Sequence, residues 1–79
     1  SVTIHYSLGL AFSKAGKPER AIEEGKKVLS LNPNSKEACY LIAIAYQDVP
    51  DFDESISWLE RYMSMETDDT RRKAAAEML

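Results

Sequence analysis

The sequence has few of the residues on which chemistry at a protein site depends. It contains one cysteine, one histidine and only three glycines and three prolines in 79 residues. A single cysteine cannot form an internal disulfide, and one His with one Cys cannot complete a four-ligand zinc shell. A phosphate-binding loop needs clustered glycines, and this chain has no such cluster. The sequence therefore predicts no disulfide framework, no metal site and no cofactor.

Neither a basic surface nor a membrane span is visible in the sequence. Ten Lys and Arg residues against thirteen Asp and Glu residues give a net charge of −3, whereas phosphate contacts need clustered cations. No apolar run approaches the roughly twenty residues of a transmembrane helix. We therefore expect no nucleic-acid partner and no membrane partner. Because no export signal is visible and the thiol is single, we expect a cytoplasmic location.

What the sequence does contain is an internal repeat. The stretch LGLAF at 8–12 returns thirty-four positions later as IAIAY at 42–46. In each copy a small residue followed by isoleucine begins nine residues after the aromatic residue, as AI at 21–22 and SI at 55–56. Repetition at a fixed period of this length is typical of stacked helix pairs.

The first half of the chain predicts two helices. Residues 2–15 are apolar on most of the circumference of a helix, so this helix must be covered from more than one side. Gly16 ends it, and Pro18 suits the first turn of a second, amphipathic helix that runs to about residue 31. The turn between the two helices is short, so they are expected to lie antiparallel.

The second half predicts three more helices. Asn34, followed three residues later by glutamate, reads as a capping box that opens a helix running to about residue 48. After Pro50, Asp51 or Asp53 can cap a fourth helix that ends near residue 65. We expect this fourth helix to direct four apolar side chains inward, and a last helix to end at Leu79. The four apolar residues are Ile56, Leu59, Tyr62 and Met63.

These patterns resemble the tetratricopeptide repeat, which carries W-x2-L-G-x2-Y in its first helix and A-x3-F in its second. Two copies of the motif match without a gap. The matching residues are His5, Leu8, Gly9, Phe12, Ala21, Gly25, Val28 and Pro33, then Cys39, Ile42, Ala43, Tyr46, Ser55, Leu59 and Tyr62. The resemblance implies an all-α fold, an α-α superhelix of two antiparallel helix pairs and a capping helix. It implies one domain over residues 1–79, divided into repeat 1 (1–34), repeat 2 (35–67) and the capping helix (68–79).

Packing in this family makes specific contacts expected. Small residues let the two helices of a pair approach closely, so Gly9 should face Ala21 and Ala43 should face Ser55. Gly25 stands where the family has an aromatic ring, so we expect the first pair to be underpacked. In the last helix, residues 73 and 77 are charged, whereas the corresponding residues of a full repeat are buried. Charged residues at these places are typical of a helix that caps an array.

The resemblance also implies a function. In this family the first helix of each pair lines a concave groove that receives a peptide or helix of a partner protein, so we expect a protein-protein interaction scaffold. For Tyr6 and Tyr40, partner binding and packing against neighbouring helices are equally open interpretations. For Leu10 and Ile44, packing is the favoured interpretation. The implied partner-binding residues are Thr3, Tyr6, Leu10, Glu37, Tyr40, Ile44, Gln47, Arg71 and Met78, with Ser13, Lys14, Asp48 and Ala74 beside them.

There are two alternatives to this function. The first is an assembly module: Val2, Ile4 and Ala11 belong to a helix that normally has a preceding pair beside it. This end is therefore expected to join copies of the chain as a homo-oligomer, or to belong to a longer array of repeats. Trp58 offers a second surface for such contacts.

The second alternative is binding of a chaperone's C-terminal carboxylates, as in one branch of the family. We do not expect it, because the corresponding places hold Tyr6, Leu10, Leu41, Arg71 and Ala75.

Catalysis needs a nucleophile and a base within hydrogen-bond reach of each other. His5 and Cys39 are the only candidates, and they occupy equivalent places on neighbouring helices, whose axes lie about 8 to 10 Å apart. Equivalent side chains point the same way rather than at each other. We therefore expect both to be core residues, and we expect the protein not to be an enzyme.

Overall fold

Five α-helices and no strand make up the computed structural model, which describes residues 1–79. Helices α1 and α2 pack together, as do α3 and α4, and α2 packs on α3. The shorter α5 contacts α4. This is the predicted all-α arrangement of two helix pairs followed by a final helix. The helices are α1 (Val2–Lys14), α2 (Pro18–Leu31), α3 (Lys36–Asp48), α4 (Phe52–Met65) and α5 (Asp69–Ala76).

The turn between α1 and α2 is built around the predicted glycine. Gly16 has a φ angle of 75°, a region that side chains with a Cβ rarely adopt. The Lys17 N–H donates to the Phe12 carbonyl at 2.9 Å, and the Gly16 N–H donates to the Ser13 carbonyl at 3.2 Å. These two bonds satisfy carbonyls that the end of a helix leaves unpaired. The chain therefore reverses within a few residues, and Pro18 begins α2.

Three helix ends can now be assigned. The N-cap of α3 is Ser35 and not the predicted Asn34, because the Ser35 Oγ accepts a hydrogen bond from the Ala38 N–H at 3.2 Å. With alanine at the third helical position, no reciprocal capping box can form. Of the two aspartates considered for α4, Asp51 is the cap. Helix α5 ends at Ala76, three residues before the predicted Leu79.

The two small-residue contacts predicted within the helix pairs are both present. A Cβ added to Gly9 would lie 3.6 Å from the Ala21 carbonyl oxygen and 2.5 Å from the Cδ2 atom of Leu41. In the second pair, the Ser55 Oγ donates to the Ala43 carbonyl at 2.9 Å. Both predicted approaches are therefore confirmed, one by the absence of a side chain and the other by a buried hydrogen bond.

The prediction that the first pair is underpacked is wrong at Gly25. A Cβ added there would lie 2.6 Å from Cγ1 and 3.1 Å from Cδ1 of Ile42. Ile42 belongs to α3 and is fully buried. The place of the missing aromatic ring is therefore filled by a side chain of the next helix pair.

The core continues from one helix pair to the next. A first cluster joins α2 to α3, and a second joins α3, α4 and α5, while the partly buried Leu29 and Trp58 contact both clusters. No gap therefore divides the chain into separately packed units. The first cluster contains Ala21, Ile22, Leu41, Ile42 and Ala45, and the second contains Cys39, Ala43, Leu59, Tyr62 and Ala75.

One residue expected to point inward does not. Ile56 is 40% exposed, although Ile22, at the same place in the first pair, is buried. Ile22 packs against Leu41 and Ile42 of α3. Thirty-four positions later the corresponding residues of α5 are both alanines, 75 and 76, which are too small to cover Ile56.

Stability should reveal how tightly Gly25 is enclosed. Gly25→Ala gains about 1 kcal/mol in helix propensity, but it forces the buried Ile42 side chain to move, and such overpacking costs about 1 to 3 kcal/mol. We expect a net decrease in the free energy of unfolding, measured by denaturant titration followed by circular dichroism. Lys26→Ala, at the exposed neighbouring position, is the control and should change stability little. A Gly25→Ala protein more stable than the wild type would contradict this packing.

Candidate functional site

A cleft opens between the first helices of the pairs and α5. Its volume is about 310 Å³. The buried Tyr62 of α4 and Glu66, the residue that follows α4, form the floor of the cleft. Tyr6 of α1 and Tyr40 of α3 are only half-buried. The lining residues are Tyr6, Lys36, Glu37, Tyr40, Tyr62, Glu66, Arg71, Ala74 and Ala75.

A smaller hollow of about 210 Å³ adjoins the cleft. Tyr6 and Glu37 line both, so the two hollows are neighbours, and together they are called the groove below. It runs from the beginning of α1, across α3, to α5. The smaller hollow is lined by Val2, Thr3, Tyr6, Val28, Asn32, Ser35 and Glu37.

The structure places only some of the predicted partner-binding residues in the groove. Four of them line the cleft and Thr3 lines the smaller hollow. Leu10, Ile44 and Gln47 line neither hollow, and Met78 lies beside the cleft, where its Sδ is 3.9 Å from the Tyr40 hydroxyl oxygen. Tyr6 and Tyr40 therefore line the groove, whereas Leu10 and Ile44 do not. The four residues in the cleft are Tyr6, Glu37, Tyr40 and Arg71.

Tyr40 is held by ring packing, and Tyr6 is distinguished by a raised pKa. The ring centroids of Tyr40 and Tyr62 are 5.1 Å apart with the planes tilted by 50°, a favourable aromatic geometry. Burial raises the pKa of the Tyr6 hydroxyl, and the nearby Glu37 carboxylate and Tyr40 raise it further. Tyr6 therefore keeps its proton near neutral pH and can donate a hydrogen bond into the groove.

Glu66 lines the cleft but is not among the residues predicted from the sequence to bind a partner. This buried carboxylate accepts hydrogen bonds from the Lys36 Nζ at 3.0 Å, the Tyr62 hydroxyl at 2.9 Å and the Asp68 N–H at 3.1 Å. The Asp68 N–H, then Lys36 and Tyr62, lower the pKa of Glu66 to about 2. Glu66 thus links the start of α3, the end of α4 and the start of α5. The only sequence signal was the four-residue spacing between Tyr62 and Glu66.

Tyr62 is the buried donor in this network. Burial, and then the hydrogen bond to the Glu66 carboxylate, raise the pKa of Tyr62 to about 12. Its hydroxyl therefore stays protonated and keeps donating over the physiological pH range. The floor of the cleft is held in one hydrogen-bonded arrangement.

His5 and Cys39, the two candidates for a catalytic pair, have different surroundings. The His5 Nδ1 lies 3.1 Å from Oε2 of the buried Glu24, and the Lys27 Nζ lies 3.5 Å from the same oxygen. Cys39 is fully buried in the second core cluster, and burial raises the pKa of its thiol. A protonated, enclosed thiol is not an activated nucleophile. His5 differs from the expectation of a plain core residue, because it is half-buried and paired with a carboxylate.

Trp58 is covered by its own helix. Its Nε1–H donates to the Glu54 carboxylate at 3.2 Å, and the Arg61 guanidinium carbon lies 4.9 Å from the centroid of its ring. The ring also contacts both core clusters. The side chain is therefore half-buried and already occupied by intramolecular contacts.

Two further observations concern metal binding and membrane crossing. No three His, Cys, Asp or Glu side chains come together in a way that could ligate a metal ion. None of the helices has the length and apolar character that crossing a lipid bilayer requires.

Stacked helix pairs with a groove on their first helices define a class of helical-repeat domain. Residues 13–79 match the family model described as tetratricopeptide repeat. The chain belongs to the tetratricopeptide repeat family, whose repeats are non-catalytic and generally mediate protein-protein interaction. Comparison with curated proteins gave no match.

The Glu66 network makes a prediction for acid unfolding. Because the pKa of Glu66 is about 2 in the folded protein against an ordinary 4.5, its contribution to stability is complete above about pH 5 and is lost as the pH falls towards 2. Glu66→Gln should lower the melting temperature at neutral pH and flatten its dependence on pH over this acid range. Glu60→Gln, at an exposed position of α4, is the matched control. Parallel acid profiles for the wild type and Glu66→Gln would show that this carboxylate does not govern acid unfolding.

The His5–Glu24 contact makes a second prediction about stability. His5→Ala leaves the buried Glu24 carboxylate with Lys27 alone, and loss of one partner of a buried polar group costs about 1 to 2 kcal/mol. We expect a decrease of that size in the free energy of unfolding, measured by denaturant titration. Ser7→Ala, at an exposed position of α1, should have little effect. If the two variants are equally stable, the contact contributes nothing.

Proposed function

We propose that this domain is an interaction scaffold that binds a peptide or helix segment of a partner protein in the groove. The observation that carries the proposal is the pair Tyr6 and Tyr40, which line the cleft while keeping part of their surface exposed. Tyrosine is enriched among the residues that dominate binding energy at protein interfaces. Here two of them stand on neighbouring helices of a fixed scaffold, so little conformational entropy is lost when a ligand packs against them.

The surroundings of the tyrosines support a peptide ligand. Ala74 and Ala75 on the α5 side are small and leave space above the buried floor. Glu37 and Arg71 line the same cleft and supply charged contacts. A concave site with an apolar lining and a few polar groups that fix orientation is typical of ligand recognition.

The proposal includes the division of the chain and its lack of catalysis. We infer repeat 1 over residues 1–34, repeat 2 over 35–67 and a capping helix over 68–79, whose Lys73 and Glu77 are exposed. We also infer that the domain is not an enzyme, since Cys39 is enclosed and His5 is held by Glu24. A single buried thiol suits the reducing cytoplasm, where we place the protein.

A second candidate function is association through α1. Val2, Ile4 and Leu8 are 37%, 60% and 41% exposed. Ile4, Leu8 and Ala11 recur at the spacing of one helix face, and all three are exposed. This face would contact a second copy of the chain or a preceding repeat in a longer array. Sedimentation at increasing concentration tests it: a rising mass that Ile4→Glu abolishes supports self-association, whereas a constant monomer mass opposes it.

Binding in the groove can be tested with peptides selected from a random display library on the immobilised domain. Affinities of the selected peptides are then measured by fluorescence polarisation. We expect Tyr40→Ala to weaken binding about tenfold or more, because it removes a central aromatic anchor. Phe52→Ala is the matched control, since Phe52 is an aromatic residue 63% exposed on α4 that does not line the groove.

Folding of each variant is checked by circular dichroism, because Tyr40 also packs on Tyr62. Tyr40→Phe keeps the ring and should retain most of the affinity. Peptides that bind folded Tyr40→Ala as tightly as the wild type would show that the groove is not the binding surface.

A further inference from the structure

Three of the four tyrosines in the chain line the cleft, and their hydroxyl groups differ in whether the fold already uses them. The Tyr62 hydroxyl donates to the Glu66 carboxylate at 2.9 Å. The Tyr40 hydroxyl oxygen lies 3.9 Å from the Sδ of Met78, and a thioether is a weak acceptor. The Tyr6 hydroxyl forms no hydrogen bond within the protein, so it is the one free hydroxyl of the three.

The Tyr6 hydroxyl is accessible to a ligand. Every buried side-chain nitrogen and oxygen of the protein has a hydrogen-bond partner, so a hydroxyl without one is in contact with solvent. Burial of part of the side chain, and then the nearby Glu37 carboxylate and Tyr40, raise the pKa of Tyr6, so its hydroxyl keeps the proton. Tyr6 therefore offers a hydrogen-bond donor to whatever occupies the groove.

The carboxylate on the floor of the cleft is already in use. Glu66 accepts hydrogen bonds from Lys36, from Tyr62 and from the Asp68 N–H, and it is 4% exposed. The other carboxylate in the cleft belongs to Glu37, which is exposed to water. A peptide N–H that is laid over this floor loses its water without reaching a free carboxylate, and burying an unpaired N–H is unfavourable.

A second donor without a partner lies on α5. Arg71 lines the cleft, is exposed and forms no ion pair. A guanidinium group carries N–H donors and no acceptor. Together with the Tyr6 hydroxyl on α1, it makes the cleft richer in free donors than in free acceptors. Electrostatic complementarity therefore favours a ligand segment that brings carbonyl oxygens and few N–H groups.

Proline is the residue whose backbone has this polarity. It has a carbonyl oxygen but no N–H, and its ring is apolar. Proline-rich segments adopt the polyproline II helix, whose backbone carbonyls are not bonded internally, and they dock in grooves lined by aromatic side chains. Because this conformation forms before binding, little entropy is lost in the complex. An α-helix uses its backbone carbonyls within itself, so it offers the Tyr6 hydroxyl side chains only.

From these observations, and resting on the function proposed for the groove, we propose that the partner segment is rich in proline and binds in the polyproline II conformation. A prolyl ring packs on the ring of Tyr40. One carbonyl oxygen of the segment accepts a hydrogen bond from the Tyr6 hydroxyl, and another accepts from Arg71. The ring of Tyr40 and the hydroxyl of Tyr6 are the two groups that select this ligand.

The test uses fluorescently labelled peptides of about nine residues, amidated at the C-terminus, which are roughly 28 Å long as a polyproline II helix. This length matches the longest dimension of the domain, 28 Å. One peptide is all proline, a second has alanine at alternate positions, and a third has sarcosine there, which lacks the ring but also has no N–H. We expect fluorescence polarisation to give the order proline, sarcosine, alanine, with proline about tenfold or more tighter than alanine.

Tyrosine variants separate the hydroxyl from the ring. Tyr6→Phe removes the donor and keeps the ring, and it should weaken binding of the proline peptide about fivefold. Tyr40→Phe should change binding little, whereas Tyr40→Ala should weaken it about tenfold or more. Tyr46→Phe is the matched control, because Tyr46 is the one tyrosine that does not line the groove. Circular dichroism checks the folding of each variant, and equal binding by folded Tyr6→Phe and the wild type would overturn the assigned hydrogen bond.

The remaining outcomes distinguish this inference from the function on which it rests. If peptides selected from the display library depend on Tyr40 but are not enriched in proline, and the proline peptide binds no better than the alanine peptide, the groove binds peptides of another class. Tighter binding by a helix-forming peptide also overturns the inference, as does a requirement for a carboxylate together with weakening by salt. If no peptide depends on Tyr40, the groove is not a binding site and both proposals fail.

Discussion

The structure depends on how closely the two helices of each pair can approach. At Gly9 the absence of a side chain lets Leu41 of α3 reach the contact between α1 and α2. In the second pair Ser55 donates a buried hydrogen bond to the Ala43 carbonyl. Small residues here do more than avoid a clash, because they let helices of neighbouring pairs interlock. A continuous core follows, and the first helices are held side by side, which is what creates the groove.

The polar network around Glu66 has a different role, because it fixes the far side of the groove. Glu66 accepts hydrogen bonds from Lys36 of α3, from Tyr62 of α4 and from the N–H of Asp68, the N-cap of α5, so one carboxylate ties the start of α5 to α3 and α4. The apolar contribution of α5 is small, with Ala75 as its one buried residue. Arg71 lies in the first turn of the helix that this contact anchors, three residues after Asp68.

The sequence could predict the helices and their pairing because both follow from local rules. Gly16 stops a helix, and the small residue Ala21 is matched thirty-four positions later by another small residue, Ser55. A repeat of this period is compatible with few folds. The sequence could not predict which side chain fills a given space between helices. Ile42 packs over Gly25 from the next pair, and Glu66 finds its partner Lys36 thirty residues away. Contacts of this kind depend on the distance and angle between helices, which periodicity alone does not specify.

Trp58 gives the molecule a built-in optical reporter. It is the only tryptophan in the chain, it contacts both core clusters, and Arg61 covers its ring. It does not line the groove. Its emission is therefore sensitive to the integrity of the core and insensitive to what occupies the binding surface. A change in tryptophan fluorescence therefore reports unfolding, and a signal that stays unchanged while a ligand binds shows that the scaffold is intact.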